Sequence, residues 1–210
     1  MREQDKNTKA YRHENALAKL EKIHPHLMLI YLTIIGSSLI FMFMILAYTL
    51  NRPDNTFFLN IQFPKAFSVS LVILLISSFS LSKALPAYES GNIDVLKKSL
   101  GITLILGVVF TICQYIGWYE LNQTGVYLTG EASGAYLYVI SGMHAFHLVF
   151  GIIFLSTTFF KIMGIAKDPV KMLIMETNPY QKIKLEMLTA YWHYLDALWV
   201  FLFFYFLFSF

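Results

Sequence analysis

Five stretches of this chain are apolar for longer than a soluble core element requires: residues 28–50, 66–87, 97–119, 134–160 and 189–210. A hydrocarbon core about 30 Å thick needs roughly 20 apolar residues in helical form. Inside lipid every backbone N–H and C=O must be paired within its own helix or within a closed barrel. The two-residue alternation of a barrel strand is absent, so the pattern predicts five transmembrane helices. Charged residues make up 14% of the chain. A soluble domain carries roughly a quarter, and the deficit agrees with lipid as the solvent.

The expected fold class is an all-α integral membrane protein, a five-transmembrane-helix bundle over residues 28–210 behind a polar tail over 1–27. The tail has no apolar core before residue 28, so no signal peptide is expected and the first span should remain in the mature protein. Short polar links such as NRPDNTFFLNIQFP and ESGNIDVLKK join the spans. The longest, 161–188, should hold a short surface helix. The single cysteine, Cys113, lies in an apolar stretch and excludes an internal disulfide or a cysteine-rich zinc site. No basic run is interleaved with aromatics, so nucleic acid is not an expected partner.

Charge placement predicts orientation. Of the 16 Lys and Arg residues, all but Arg52 and Lys65 fall in the tail, around the second link (Lys83, Lys97, Lys98) or between residues 161 and 184. Basic residues concentrate on the cytoplasmic side. The N-terminus should therefore be cytoplasmic and the C-terminus outside.

Ionisable groups within membrane spans are costly and functional by default. The fourth span carries His144 and His147, three apart and so on one helical face, which Gly151 continues. The fifth carries His193 and Asp196 at the same spacing. Gln114 lies in the third span, Ser37 and Ser38 in the first, and Lys83 near an end of the second, where it can snorkel. Three readings stand beside one another. The histidines could ligate haem on facing helices, bind a transition metal or relay protons, or pair with Asp196 to tie helices together. If the fourth and fifth spans are neighbours, Asp196 and His147 fall at one depth. Asp196 is then expected to accept a hydrogen bond from His147, or from His144, with His193 left to interfacial water or a headgroup. Ser141 with Ala145, together with Gly142 and Gly151, should allow close helix approach, as should the serines of the second span. The aromatics of the fifth span are expected to face lipid or a partner subunit.

YWHYLDALWVFLF, Tyr191 to Phe203, resembles the last-helix signature of subunit III of haem–copper cytochrome c oxidases, Tyr-Trp-His-Phe-Val-Asp-x-x-Trp. SGMHAFHLVFG, Ser141 to Gly151, is similar to that family's Gly-x-His-Gly-x-His-Val-x-x-Gly motif, and the glycine-spaced third span ends in a similar way. The resemblance covers about residues 28–210. It departs from the family in three places. Two N-terminal helices of the longer members have no counterpart among the five spans, as in the shorter bacterial forms. Ser38 stands where a membrane glutamate is common, and Gly117 where another glutamate follows the glutamine.

The resemblance implies a non-catalytic subunit of a proton-pumping terminal oxidase in the bacterial cytoplasmic (inner) membrane, crossing it several times. It would support assembly, stability and proton uptake of subunit I. Its partners would be subunit I, other oxidase subunits and membrane lipids. Haem and copper would sit in those partner subunits, with no catalytic, cofactor or metal residue here, and a bound phospholipid is the one ligand it suggests. The alternative is a di-haem b-type membrane anchor of a respiratory dehydrogenase.

Overall fold

The computed structural model describes residues 25–51, 64–128 and 132–209. These form seven helices: α1 (Pro25–Leu50), α2 (Lys65–Leu81), α3 (Ala84–Glu89), α4 (Ile93–Gln123), α5 (Ala132–Ile165), α6 (Pro169–Thr177) and α7 (Pro179–Ser209). There is no strand among the described residues. Five segments are long and apolar enough to cross a membrane: Leu27–Leu50, Lys65–Glu89, Ile93–Gln123, Gly134–Ile165 and Tyr180–Phe208. The five expected spans are thus present. Expected residues 1–24 of the tail lie outside the described residues, as does most of the first link.

Local chemistry sets the ends. The second span is two helices, broken at Ser82 and Lys83. Pro86 explains the break: it offers no N–H, and its ring crowds the carbonyl four residues back, at Ser82. Asn92 caps α4, its side chain accepting the Val95 N–H at 3.2 Å, after Gly91 turns the chain at φ +68°. The surface helix expected between 161 and 188 is α6. Asp168 caps it by accepting the Val170 N–H at 3.0 Å, with Pro169 in the first turn. That backbone donor, helped by Lys171, holds the Asp168 carboxyl below its usual range.

The helix of the last span begins earlier than the apolar stretch expected from 189, at Pro179. Hydropathy marks where side chains meet lipid, whereas the backbone stays helical beyond that zone. An ion pair from Lys182 to Glu89 at 2.7 Å fastens this polar first part of α7 to α3.

The helices pack with α2 along α4, α4 along α5, and α7 against α1, α2, α3 and α5. Residues Leu96, Leu100, Thr103, Gly107, Phe110, Gln114, Gly117 and Leu121 form the buried seam of α4. Their spacing alternates between four and three, the repeat of helices that pack at shallow left-handed angles. α1 is the least covered of the spans and α7 the most. The expectation for the aromatics of the last span is therefore corrected in part. Trp192, Trp199 and Phe206 are fully buried core residues, while Phe201, Phe204 and Phe208 are exposed. A helix apolar on every side does not announce which side meets protein.

Candidate functional site in the membrane interior

The polar residues of the spans join the helices in pairs, and small hydroxyls carry most of these contacts. The Trp118 indole N–H donates to Ser141 Oγ at 3.0 Å, joining α4 to α5. Gln114 donates to Ser70 Oγ at 3.3 Å, joining α4 to α2. Trp192 donates to Ser77 Oγ at 3.1 Å, joining α7 to α2. Ser99 and Ser80 exchange hydroxyl-to-carbonyl bonds between α4 and α2. Each contact satisfies a donor that would otherwise stand bare in hydrocarbon. The serines of the second span thus act as interhelical acceptors as well as small residues.

The three histidines have three different surroundings. His147 faces α1. Its Nδ1 lies 2.8 Å from the Met143 carbonyl, which can only accept, so Nδ1 carries the proton. Nε2 then accepts from Ser37 Oγ at 3.2 Å. His144 is fully buried, stacked on Trp199 with centroids 5.0 Å apart and edge-on to Phe110, and neither ring nitrogen has a hydrogen-bond partner. His193 faces α2, with Nδ1 2.7 Å from Ser78 Oγ.

The expected Asp196–His147 bond is not formed, nor is one to His144. Asp196 is 4% exposed and both its oxygens lack a hydrogen-bond partner. Ser78 and His193 are the polar groups that act on it, and His193 Nδ1 is 3.9 Å away, beyond hydrogen-bond length. The cause is rotational. α5 and α7 are neighbours, but His147 points from α5 toward α1 while Asp196 points from α7 toward α2. His193 likewise bonds to a serine hydroxyl instead of being left to the interface.

Ser38, at the position of the family's glutamate, places its hydroxyl 3.2 Å from the Tyr194 hydroxyl of α7. Its neighbour Ser37 is the one that reaches His147. Gly151 permits close approach as expected: a Cβ there would stand 3.0 Å from Leu195 and 3.4 Å from Tyr191. Gly142 is looser, with Trp118 4.0 Å away, and Ala145 is half-buried beside it. Two glycines of α4 also admit a neighbour: Gly107, which the sequence reading does not name, and Gly117, which it names only as a departure from the family pattern. A Cβ on Gly107 would come within 2.9 Å of Trp192, and one on Gly117 would collide with the Phe67 ring. The four-and-three spacing they share with Phe110 and Gln114 is the signal that marks them.

A haem held between two histidines needs two free imidazole nitrogens on facing helices with room for a porphyrin. His147 uses both nitrogens and His144 is sealed between Trp199 and Phe110. The pair His144 and His147 does not fit that group. Among the described residues no cluster of three or more His, Cys, Asp or Glu side chains is placed to hold a metal ion.

The arrangement is that of a joint. Tyr191 of α7 donates its hydroxyl to the His147 carbonyl of α5 at 3.0 Å, one turn from the Gly151–Leu195 contact. The YWHYLD segment and the SGMHAFHLVFG segment therefore pack on one another.

Comparison with known proteins gives a concordant family. The sequence profile described as cytochrome c oxidase subunit III matches residues 28–209. Cytochrome c oxidase subunit 3 of Synechocystis sp. is 26% identical over 192 residues, covering 86% of this chain and 75% of that protein. The probable cytochrome c oxidase subunit 3 of Nocardia farcinica is 28% identical, covering 62% of this chain and 60% of that protein. The subunit 3 of Damaliscus lunatus is 31% identical over 62% of this chain but only 45% of its own length. The chain thus spans 60% and 45% of the length of the last two of these relatives.

Proposed function

The chain belongs to the cytochrome c oxidase subunit III family, and from that premise we propose that it is a non-catalytic, load-sharing subunit of a proton-pumping haem–copper terminal oxidase. It supports the assembly and stability of the catalytic subunit I, which it touches directly, and the uptake of protons there. The haems and copper belong to partner subunits, and this chain binds lipid. The membrane is the bacterial cytoplasmic membrane, with the N-terminus inside and the C-terminus outside.

One observation carries this reading. The residues of the two family-like motifs are spent on contact between α5 and α7, through Tyr191, Leu195 and Gly151, instead of lining an open site. Side chains that seal a helix joint hold a shape; they offer a substrate no access. The same geometry disfavours the di-haem anchor, because both ring nitrogens of His147 are hydrogen-bonded and the His144 ring is enclosed by Trp199 and Phe110.

The test is purification of the chain with and without its membrane partners. The expected result is co-purification with haem-bearing oxidase subunits, and a reduced-minus-oxidised spectrum of the isolated chain that is flat in the b-type haem region. A stoichiometric b-type band from the isolated chain would overturn the proposal in favour of the anchor.

A further inference from the structure

α6 carries two apolar stripes. At about 100° per residue, Met172 and Met175 share one side of the helix, and Val170, Leu173 and Ile174 share the side opposite. Met175 is 3% exposed, and Met172 is half-buried against the same core. Val170, Leu173 and Ile174 are 67%, 65% and 58% exposed. Lys171 lies between the two stripes, paired with Asp168 at 3.5 Å. A helix on a water-facing surface has one apolar stripe and turns polar residues outward. α6 turns aliphatic side chains away from the bundle instead.

The way α6 is held decides what borders that outer stripe. Residues 166–168 alone separate its start from the end of α5, and Asn178 alone separates its end from α7. Both of those helices contain a segment long and apolar enough to cross a membrane. Tyr88 of α3 donates its hydroxyl to the Met175 carbonyl at 2.8 Å, with the Asn178 carbonyl 3.4 Å away. Tyr88 stands at the end of another such segment, Lys65–Glu89. Three spans thus hold α6 at the membrane boundary, where headgroups meet acyl chains. The adjoining end of α5 is apolar and exposed as well, at Phe160 and Met163. Lys161, Lys167 and Lys171 are interspersed with these side chains, and cations at that level favour an anionic leaflet.

We propose that α6 is an in-plane membrane anchor. Val170, Leu173 and Ile174 enter the lipid leaflet at this end of the bundle, and Lys167 and Lys171 meet its anionic headgroups. Lipid fits the stripe better than a protein does. The three side chains expose roughly 300 Å², against roughly 800 Å² per partner in a stable protein interface. A helix lying in the headgroup region needs only an apolar face and a cationic rim. Such an anchor fixes the depth of α5 and α7, because each leaves from one of its ends. The contact depends neither on oxidase partners nor on which side of the membrane this end faces.

The test uses the full chain in vesicles of phosphatidylglycerol and phosphatidylethanolamine. Cys113 is replaced by serine, and a spin label is placed on a single cysteine at Leu173, Ile174 or Lys167. The ratio of collisions with oxygen to collisions with a water-soluble nickel chelate should be severalfold higher at Leu173 and Ile174 than at Lys167, because oxygen concentrates among acyl chains and the chelate stays in water. Equal ratios at the three positions would show the stripe facing water and overturn the proposal. A photo-crosslinking residue at Leu173, in native membranes, puts the same question to the assembled protein. Crosslinks to lipid support the anchor, and crosslinks to another protein in place of lipid overturn it.

Discussion

The ring of Phe67 occupies the space that a side chain on Gly117 would need, so the Lys65 end of α2 lies directly on the Gln123 end of α4. Phe67 is 1% exposed and is backed edge-on by Trp199 of α7, centroids 5.7 Å apart, so it has little room to retreat. At the position where the family resemblance leads one to expect a glutamate, this chain has an aromatic-against-glycine contact that ties three helices.

Gly117→Ala should therefore overpack this contact and destabilise the chain by about 1–3 kcal/mol. Gly36→Ala, on α1 with nothing within 4 Å, should be close to neutral. Thermal unfolding of both variants in one detergent checks the contrast. Equal stability would mean that the α2–α4 approach is looser than described.

His144 and His147 should respond differently to substitution. His144→Leu removes two unpartnered ring nitrogens and the stacking on Trp199, terms of opposite sign and each about 1 kcal/mol, so stability should change little. His147→Leu leaves Ser37 without its acceptor and should lower the retention of α1 against α5, seen as faster proteolysis of α1. In neither variant should the haem and copper content of the purified oxidase fall. Loss of one haem with assembly intact would reassign these residues.

Orientation is testable with Cys113 replaced by serine and single cysteines introduced at Asp94, Asn122 and Lys167. The charge distribution predicts that Asp94 and Lys167 are labelled by an impermeant maleimide only after the cytoplasmic side is opened, and Asn122 without it. Labelling of Asn122 from the cytoplasm alone would invert the topology.

α6 should show an acid-sensitive cap. The Val170 N–H holds the Asp168 carboxyl below its unfolded value, so the cap contributes stability that is fully present above the unfolded pKa. That contribution is lost as pH falls through the folded value. Amide hydrogen exchange in Pro169–Thr177 should accelerate relative to the spans as pH drops below about 4, after correction for intrinsic rates. Asp168→Ala should exchange faster at neutral pH and lose that acid sensitivity.

Length and hydropathy alone determined that the described residues hold five helices long and apolar enough to cross a membrane, because the bilayer sets the length and backbone hydrogen bonding leaves a helix as the form. The motif residues identified the family, and Gly151 was legible as a place of close contact. The length of the 161–188 link also led to the expectation of a short surface helix there, which is α6. Partner choice was not legible. Depth along a helix follows from counting at 1.5 Å per residue, and that count is what led to the expectation of His147 and Asp196 at one level. Each residue also turns the side chain by about 100° around the axis, so equal depth leaves facing direction open. Spans that are apolar all round carry no stripe from which that direction could be taken. Only the packed bundle decided that His147 meets Ser37, that Asp196 lies behind His193, and that Trp192 and Trp199 are core residues while Phe201 and Phe204 are exposed. Glycines set these rotations: Gly107, Gly117 and Gly151 admit Trp192, Phe67 and Leu195, and a missing side chain shows its value only when the neighbouring helix is in place.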